Sequence, residues 1–177
     1  MIKKYVYRFL FLLFRKLPSS RNKFLGKFSK KLRSFAAKGF IKKCGKNVNI
    51  ERGAVISSKL SIGDNSGVGI DCVCGGELII GNDVMMGPEC VFFSRNHEFS
   101  NLDIPMRLQG YKNAEPCIVG NDVWIGRRVM IMPGVHIGNH CIIGAGAIVT
   151  KDVPDWAIAA GNPAVVKKYR KDIDDLG

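Results

Sequence analysis

Apolar residues recur along most of this chain with a period of six. Every sixth residue from Cys44 to Phe92 is apolar, without an insertion, and the same period resumes at Val119 and continues to Val149. These two blocks contain fifteen six-residue repeats, of which eleven open with Val or Ile and ten have Gly at the second position. A period of six fits neither an α-helix nor a simple alternating strand.

Such a period predicts a short strand, a corner and another short strand. Val and Ile suit the strands, while Gly, Asn and Asp tolerate the backbone of the corners. Three repeats form one triangular coil of about 18 residues, and stacked coils enclose a common core. About five coils at a strand spacing of roughly 4.8 Å make a prism about 24 Å tall. We therefore expect an all-β domain, a parallel β-helix, over residues 44–154 with a loop excursion over 98–118.

The flanking segments follow other patterns. Residues 1–43 also hold a predicted helix that ends at Gly39 or Gly45. Its apolar packing stripe is formed by Phe24, Leu25, Phe28, Leu32, Phe35 and Ala36. The stretch before it interleaves aromatic residues and Leu with Lys and Arg, which is typical of a helix lying in a membrane interface. Packing on the body or on a sister subunit accounts equally for this pattern. For residues 155–177 we expect an extension with a short helix near 165–174.

The charge is distributed unevenly. The chain carries 27 Lys and Arg against 15 Asp and Glu, a net of +12, but 15 of the 27 basic residues lie in residues 1–46 and the first acidic residue is Glu51. The remaining residues have a net charge of −3, so nucleic acid is not the expected partner of the body. The composition, 46% hydrophobic and 24% charged, is globular. No apolar run approaches the roughly 20 residues of a membrane-spanning helix.

Three stretches carry a family resemblance: NHEFSNLDIPMRLQG (96–110), VGNDVWIGRRVMIMPGVHIG (119–138) and IIGAGAIVTKDVPDWAIAAGNPA (142–164). With the repeat, they make residues 44–168 resemble the hexapeptide-repeat acyltransferases, which have a left-handed parallel β-helix. The chain is most similar to sugar O-acetyltransferases of the maltose/galactoside type, especially those serving capsular and exopolysaccharide synthesis. The resemblance implies acetyl-CoA as cosubstrate, a carbohydrate acceptor, and a homotrimer with sites between subunits.

His97 is the candidate general base. It stands where the repeat stops and the 21-residue excursion begins, and loops of that length are commonly functional. Acetyl transfer from a thioester to a hydroxyl needs a base, and imidazole can accept that proton and return one to the thiolate. The resemblance assigns this role to His97, although the position alone also suits a His that anchors the loop. Glu98, Asp71 and a backbone carbonyl are open candidates for orienting it.

The resemblance also supplies the remaining site residues. It makes the backbone amide of Arg127 an oxyanion donor. The coenzyme contacts fall on Trp124, Arg127, Ala145, Thr150, Lys151 and Lys168. Packing of Trp124 and solvation of the lysines are the simpler alternatives. We expect acceptor contacts from the excursion, at Asn96, Asp103, Met106, Arg107 and Gln109. Nothing is placed as a covalent nucleophile, so the expected mechanism is direct transfer.

No metal is expected. Cys72 and Cys74 lack a second ligand pair, and Cys72 and Cys90, one coil apart, suit a column of small core residues. A zinc carbonic anhydrase with a similar β-helix needs three His ligands, and His136 and His140 are not placed in the repeat for such a site. Six scattered cysteines fit a reducing cytoplasm.

The sequence therefore predicts an acetyl-CoA-dependent O-acetyltransferase of surface polysaccharide biosynthesis. Two alternatives stay open: acetylation of an antibiotic or other xenobiotic at the same site, and a non-catalytic scaffold recruited to membrane or RNA by its basic arm. The expected location is the cytoplasm, at the inner face of the membrane if the arm contacts lipid.

Overall fold

The fold is a parallel β-helix capped by two α-helices. It was analysed in a computed structural model, which describes residues 2–172. Helices α1 (Ile2–Phe14) and α2 (Gly26–Lys38) come first, and α2 ends at Gly39, one of the two predicted positions. None of the helices in this described range is long and apolar enough to cross a bilayer.

Short strands follow α2 at intervals of about one repeat. In chain order they are β1 (Lys43–Cys44), β2 (Asn49–Ile50), β3 (Val55–Ile56), β4 (Ser61–Ile62), β5 (Gly67–Val68), β6 (Val73–Cys74), β7 (Leu78–Ile80), β8 (Met85–Met86), β9 (Val91–Phe92), β10 (Cys117–Val119), β11 (Trp124–Ile125), β12 (Met130–Ile131), β13 (His136–Ile137), β14 (Ile142–Ile143), β15 (Ile148–Val149), β16 (Ala157–Ala160) and β17 (Val165–Tyr169).

Every third strand stacks on the same face of a three-sided prism. Face 1 contains β1, β4, β7, β10 and β13, and face 3 contains β3, β6, β9, β12 and β15. Face 2 contains β8, β11, β14 and β16 above the pair β2–β5. A hydrogen bond links the two parts of this face: the amide of Gly67, in β5, donates to the carbonyl of Val84, next to β8, at 3.0 Å. Pairing within each face is parallel, for example Lys43 with Ser61. The five predicted coils are confirmed, and β16 begins a sixth.

The core of the prism contains two sets of stacked side chains. One set is formed by the residues that open the repeats, such as Ile125, and the other by the residues two positions before them, such as Val123. Ile50, Ile125 and Ile131 are fully buried. The predicted stacking of Cys72 and Cys90 inside the prism is also confirmed, since both are fully buried. Burial raises the pKa of the Cys74 thiol to about 12, so this thiol is protonated and unreactive at neutral pH.

Two helices close the first coil, and they do so through a buried arginine. The Arg33 side chain is fully buried; its Nε donates to the carbonyl of Ile50 at 2.6 Å and its Nη1 to that of Pro18 at 2.8 Å. Its Nη2 lies 3.4 Å from the Glu51 carboxylate. A Cβ at Gly39 would overlap the ring of Tyr7, so a glycine is required where α2 ends beside α1.

The predicted packing stripe is wrong for its aromatic members in the single chain. Phe24, Phe28 and Phe35 are exposed, Phe24 to 91%, whereas Ala36 of the same stripe is buried. The buried face of α2 is formed by Gly26, Ser29, Arg33, Ala36 and Ala37. Small residues allow the helix to approach the first coil closely, and Arg33 satisfies carbonyl groups there that an aromatic side chain would leave unpaired.

The helix predicted near residues 165–174 is also wrong. Residues 165–169 form β17, which pairs antiparallel with β16, and a 3₁₀ turn (Arg170–Asp172) follows. Val165 and Val166 favour a strand, and the outer edge of β16 offers unpaired backbone groups to it. The predicted end, Asp174, lies outside the described residues.

Candidate active site

The excursion loop begins and ends as a short antiparallel stem that holds His97. His97 forms a β-bridge with Tyr111, and their ring centroids are 4.2 Å apart. On either side of this bridge, the amide of Glu98 donates to the carbonyl of Gly110 and the amide of Lys112 to that of Asn96. The His97 side chain is exposed. The stem therefore fixes the backbone of His97 while leaving its imidazole open to a ligand.

The two carboxylates considered for orienting His97 are engaged elsewhere. Glu98 accepts hydrogen bonds from the amides of Phe99 and Ser100 at 2.9 and 3.1 Å, which lowers the pKa of its carboxyl. Asp71 lies 3.8 Å from Arg52 in the second coil. Within residues 2–172, the contact seen for the imidazole is with the Tyr111 ring, which is tilted by 32° relative to it. Sequence periodicity missed Tyr111 because it lies outside the repeat.

The predicted acceptor residues divide into exposed and structural ones. Asn96 and Asp103 are exposed, as are Met106 and Arg107 in the 3₁₀ turn Met106–Leu108. Gln109 instead braces the loop: its Nε2 donates to the carbonyls of residues 101 and 104 at 2.7 and 2.9 Å. Four of the five side chains are therefore available to a ligand.

Arg127 occupies the corner between faces 2 and 3, directly after β11. Among the described residues, no acceptor lies within hydrogen-bonding distance of its amide, whereas its carbonyl accepts from the amide of Gly146 at 2.8 Å. Its Nε lies 3.1 Å from the Glu89 carboxylate, which Arg128 also contacts at 2.7 Å. Hydrogen bonds from Arg128 and Arg127 lower the pKa of Glu89. The corner thus presents a free N–H while its guanidinium is held by Glu89, which the sequence analysis did not identify.

Ala145 stacks above this corner on the next coil. Its amide also lacks a hydrogen-bond acceptor within residues 2–172, and its small side chain is exposed. The backbones approach so closely that a Cβ on Gly126 would lie 2.5 Å from the nitrogen of Ala145. Glycine at position 126 is therefore what allows the two coils to stack this closely at the corner that holds both amides.

Trp124 and Lys168 belong to one column on the outside of face 2. Lys168 pairs with Ile158, Ile158 with Ile142, and Ile142 with Trp124. Residues paired in this way share a face of the sheet. Three strand spacings, roughly 14 Å, separate the half-exposed indole from the lysine. The column places an aromatic surface near the Arg127 corner and a cation at the edge of the same face.

The other predicted residues lie at a different corner. Thr150 and Lys151 follow β15 between faces 3 and 1, and both are exposed. The loop that carries His97 leaves the prism at this same corner, after β9. One six-residue repeat, at most about 20 Å of extended chain, separates it from the corner of Arg127. Within one chain, His97 and the Arg127 amide therefore lie at different edges of the prism.

The part of the chain that the structure describes contains no group of three or more His, Cys, Asp or Glu arranged to hold a metal ion. His140 contacts Asp122 at 2.9 Å and stacks on Trp156.

Comparison with known proteins agrees with this architecture. The family model described as bacterial transferase hexapeptide (six repeats) matches residues 116–151. The galactoside O-acetyltransferase of Lactococcus lactis subsp. lactis (strain IL1403) is 33% identical over 130 residues, 73% of this chain and 56% of the relative. The chain spans about half the length of the curated relatives it matches.

Solved structures extend the similarity to the helical cap. A maltose O-acetyltransferase from Clostridium difficile 630 has a TM-score of 0.76 at 27% identity, covering 95% of this chain and 86% of that one. A galactoside acetyltransferase in complex with coenzyme A has a TM-score of 0.74 at 28% identity, covering 98% and 84%. The chain belongs to the hexapeptide-repeat family, and its relatives include galactoside and maltose O-acetyltransferases.

Proposed function

We propose that this protein transfers the acetyl group of acetyl-CoA to a sugar hydroxyl, and that the sugar belongs to a surface polysaccharide or its precursor. The observation that carries the proposal is the amide of Arg127, which has no acceptor within residues 2–172 and lies beside the equally free amide of Ala145. Two such donors on a rigid corner suit a polar ligand that lies along the prism. The names of two relatives, a galactoside and a maltose O-acetyltransferase, support acetyl transfer to a sugar, and the related galactoside acetyltransferase in complex with coenzyme A supports a thioester donor.

In the proposed mechanism His97 and Arg127 divide the chemistry. His97 accepts the proton of the sugar hydroxyl as that oxygen bonds to the thioester carbonyl carbon. The Arg127 amide donates a hydrogen bond to the carbonyl oxygen as it gains negative charge, a contact worth on the order of 10²–10³ in rate. The carbon–sulfur bond then breaks, and His97 returns its proton to the sulfur. The proton that leaves the sugar hydroxyl thus ends on the coenzyme thiol, and the reaction needs no further reactant.

The coenzyme supplies an activated acetyl thioester, and the chain offers groups that fit it. Ala145 presents an amide with little side-chain bulk, and Trp124 offers an apolar wall. Thr150, Lys151 and Lys168 are exposed hydroxyl and ammonium groups suited to phosphates.

We further propose that a homotrimer completes the site. His97 and Arg127 leave the prism at different corners. The catalytic pair forms when the His97 corner of one copy meets the Arg127 corner of the next. In that arrangement, Asn96, Asp103, Met106 and Arg107 lie on the acceptor side, and Gln109 keeps the loop in shape.

Calorimetric titration of acetyl-CoA tests the donor half of the proposal. We expect micromolar binding to the wild type, and binding at least about tenfold weaker in Lys151→Ala/Lys168→Ala, because two phosphate contacts are lost. Lys23→Ala/Lys27→Ala, which removes the same charge from the basic arm, should bind like the wild type. No binding by the wild type, or equal weakening in both variants, would contradict the proposal.

His97→Ala tests the catalytic half, with galactosides, maltose and hydroxyl-bearing antibiotics offered as acceptors. Turnover on a sugar should fall at least about 10²-fold while acetyl-CoA affinity changes less than about twofold. A parallel loss of affinity would make His97 structural. Transfer to an antibiotic but to no sugar would reject the sugar acceptor and leave the donor chemistry in place.

A further inference from the structure

Helix α1 carries two apolar stripes on opposite sides. The inner stripe, Tyr7, Leu10, Phe11 and Phe14, packs toward the body, where the ring centroid of Phe11 lies 5.4 Å from that of Phe40. The outer stripe is formed by Ile2, Tyr5, Val6, Phe9, Leu12 and Leu13. Both sets follow the three- and four-residue spacing of a helix face. The inner stripe alone accounts for the docking of α1 on the protein.

The outer stripe is exposed to solvent. Its six side chains have exposures between 48% (Leu12) and 81% (Ile2). A contiguous apolar surface of this kind on a folded protein marks an interaction site rather than chance exposure. Helix α2 and the turn before it add exposed apolar side chains at Phe24, Leu25, Phe28 and Phe35.

Charge identifies the partner that this surface fits. Lys4 and Arg8 are exposed beside the outer stripe, and residues 1–46 contain 15 basic side chains and no acidic one. Two copies of this surface placed face to face would bring these cations together, which opposes self-association through it. An anionic bilayer offers both an apolar interior for the stripe and phosphates for the cations. The helix is too short and insufficiently apolar to cross the bilayer.

We propose that the outer stripe of α1 inserts into the interface of an anionic membrane and anchors the protein there by its first coil. The end of α1 is fastened to the body: the Gly53 amide donates to the Arg15 carbonyl at 2.8 Å, and Arg15 Nη2 donates to the Gly53 carbonyl at 2.9 Å. Docking therefore orients the whole prism. The Arg127 corner lies three coils from this end, roughly 14 Å along the axis.

Vesicle flotation with the full chain tests the proposal. The probes are phosphatidylcholine vesicles with and without about 30% phosphatidylglycerol, a composition that gives a negative surface. We expect at least tenfold stronger partitioning to the anionic vesicles. Phe9→Glu/Leu13→Glu should lose at least about tenfold of that binding, since two inserted side chains become charged.

Two double variants with the same change in net charge distinguish a local contact of the α1 cations with lipid from an effect of the protein's total charge. Lys4→Glu/Arg8→Glu should weaken binding to anionic vesicles by at least about tenfold, because each cation at the surface contributes about fivefold. Lys112→Glu/Lys171→Glu changes the net charge by the same amount, away from α1, and should stay within about twofold of the wild type. Equal effects of the two pairs, or no flotation of the wild type, would overturn the proposal.

Light scattering on the same samples examines the competing occupant, a second copy of the chain. The assembly mass should be the same for the wild type and for Phe9→Glu/Leu13→Glu, whose changed side chains are solvent-exposed in the folded chain. A smaller assembly in that variant, with flotation unchanged, would make the outer stripe a subunit interface and reject the membrane. Flotation of Lys4→Glu/Arg8→Glu gives an independent result if the apolar variant fails to fold.

Discussion

The side-chain Oδ1 of Asn139 lies 2.9 Å from the backbone nitrogen of Asn121 and accepts its hydrogen bond. The same contact recurs one coil below, where Asn121 accepts from the amide of Asn82 at 2.8 Å. At the next corner along the chain, the same repeat positions are occupied by Ala145 and Arg127. Alanine has no side-chain acceptor, so the Arg127 amide is left available to a ligand. One residue type thus distinguishes a structural corner from a candidate catalytic one.

Replacing Arg127 with Pro removes this amide hydrogen while retaining the corner. Pro88 occupies the same repeat position one coil below, so the corner accommodates proline. We expect Arg127→Pro to lower the acetylation rate by about 10²–10³, the usual cost of one oxyanion donor. The measurement is kcat for acetyl transfer, with the melting temperature as a check on folding.

Arg127→Ala is the matched control for this substitution. It keeps the amide and removes only the guanidinium held by Glu89, so its rate should stay within about tenfold of the wild type. If alanine costs as much activity as proline, the side chain and not the backbone performs the function, and the proposed role of the amide is wrong.

The six-residue period predicted the β-helix because each repeat encodes its own strand and corner. Ile125 and Ile143 are buried where the phase places them, and the family motifs directed attention to Arg127 and Ala145. The period says nothing about the segments outside it. On α2 the aromatic stripe gave the wrong buried face, because close approach to the first coil favours Ala36 and a satisfied Arg33 over larger apolar rings.

The contacts around His97 could not be obtained from sequence in the same way. Tyr111 and His97 are in contact at the two ends of a loop that has no fixed period. Glu89 and Arg127 are in contact on adjacent coils, but the loop lies between them in the sequence. Each contact depends on how the 98–118 excursion closes, which local pattern does not encode. The resemblance assigned roles to residues but did not identify the side chains that hold them.

The asparagine ladder, in which Asn139 accepts from the amide of Asn121 and Asn121 from that of Asn82, suggests a variant that should lose activity without losing stability. Ala145→Asn places an amide oxygen where Asn139 has one at the neighbouring corner, so it should accept from the Arg127 amide. We expect acetylation to fall at least about 10²-fold, while the free energy of unfolding stays equal or rises by about 1 kcal/mol from the added hydrogen bond.

Ala145→Leu has the same number and branching of side-chain heavy atoms as asparagine but no acceptor, and it is the control for obstruction. It should also reduce activity by crowding the corner, but it should not raise the stability. Urea denaturation of the three proteins decides the matter. Lower stability for asparagine than for leucine would show that no ladder contact forms at this corner.

The ion pair between Arg33 and Glu51, under the two helices, should make the free energy of unfolding depend on pH in the acidic range. Burial raises the pKa of Glu51, but hydrogen bonds from the hydroxyl and amide of Ser20, from Asn49 and from the amide of Arg52 outweigh burial and leave this pKa below its ordinary value. Burial lowers the pKa of Arg33, which nonetheless stays protonated at neutral pH because the Glu51 charge opposes the shift.

A carboxyl with a lowered folded-state pKa stabilises the fold above its unfolded pKa, about 4.3, and this contribution disappears as the pH falls through the folded value. Glu51→Gln should therefore lower the free energy of unfolding by about 2–3 kcal/mol at neutral pH, and the difference from the wild type should shrink at more acidic pH.

Arg33→Met should lower the free energy of unfolding by about 3–5 kcal/mol at neutral pH, because it leaves the buried carboxylate without its partner charge. Combining the two substitutions should cost less than their sum, since neither charge is then left alone. Urea denaturation between about pH 3 and pH 7 measures all four proteins. A pH-independent difference for Glu51→Gln would mean that the fold leaves the pKa of this carboxyl unshifted, and a difference that grows at more acidic pH would mean that the fold raises it. Strict additivity would mean that Arg33 is held by the Ile50 and Pro18 carbonyls alone.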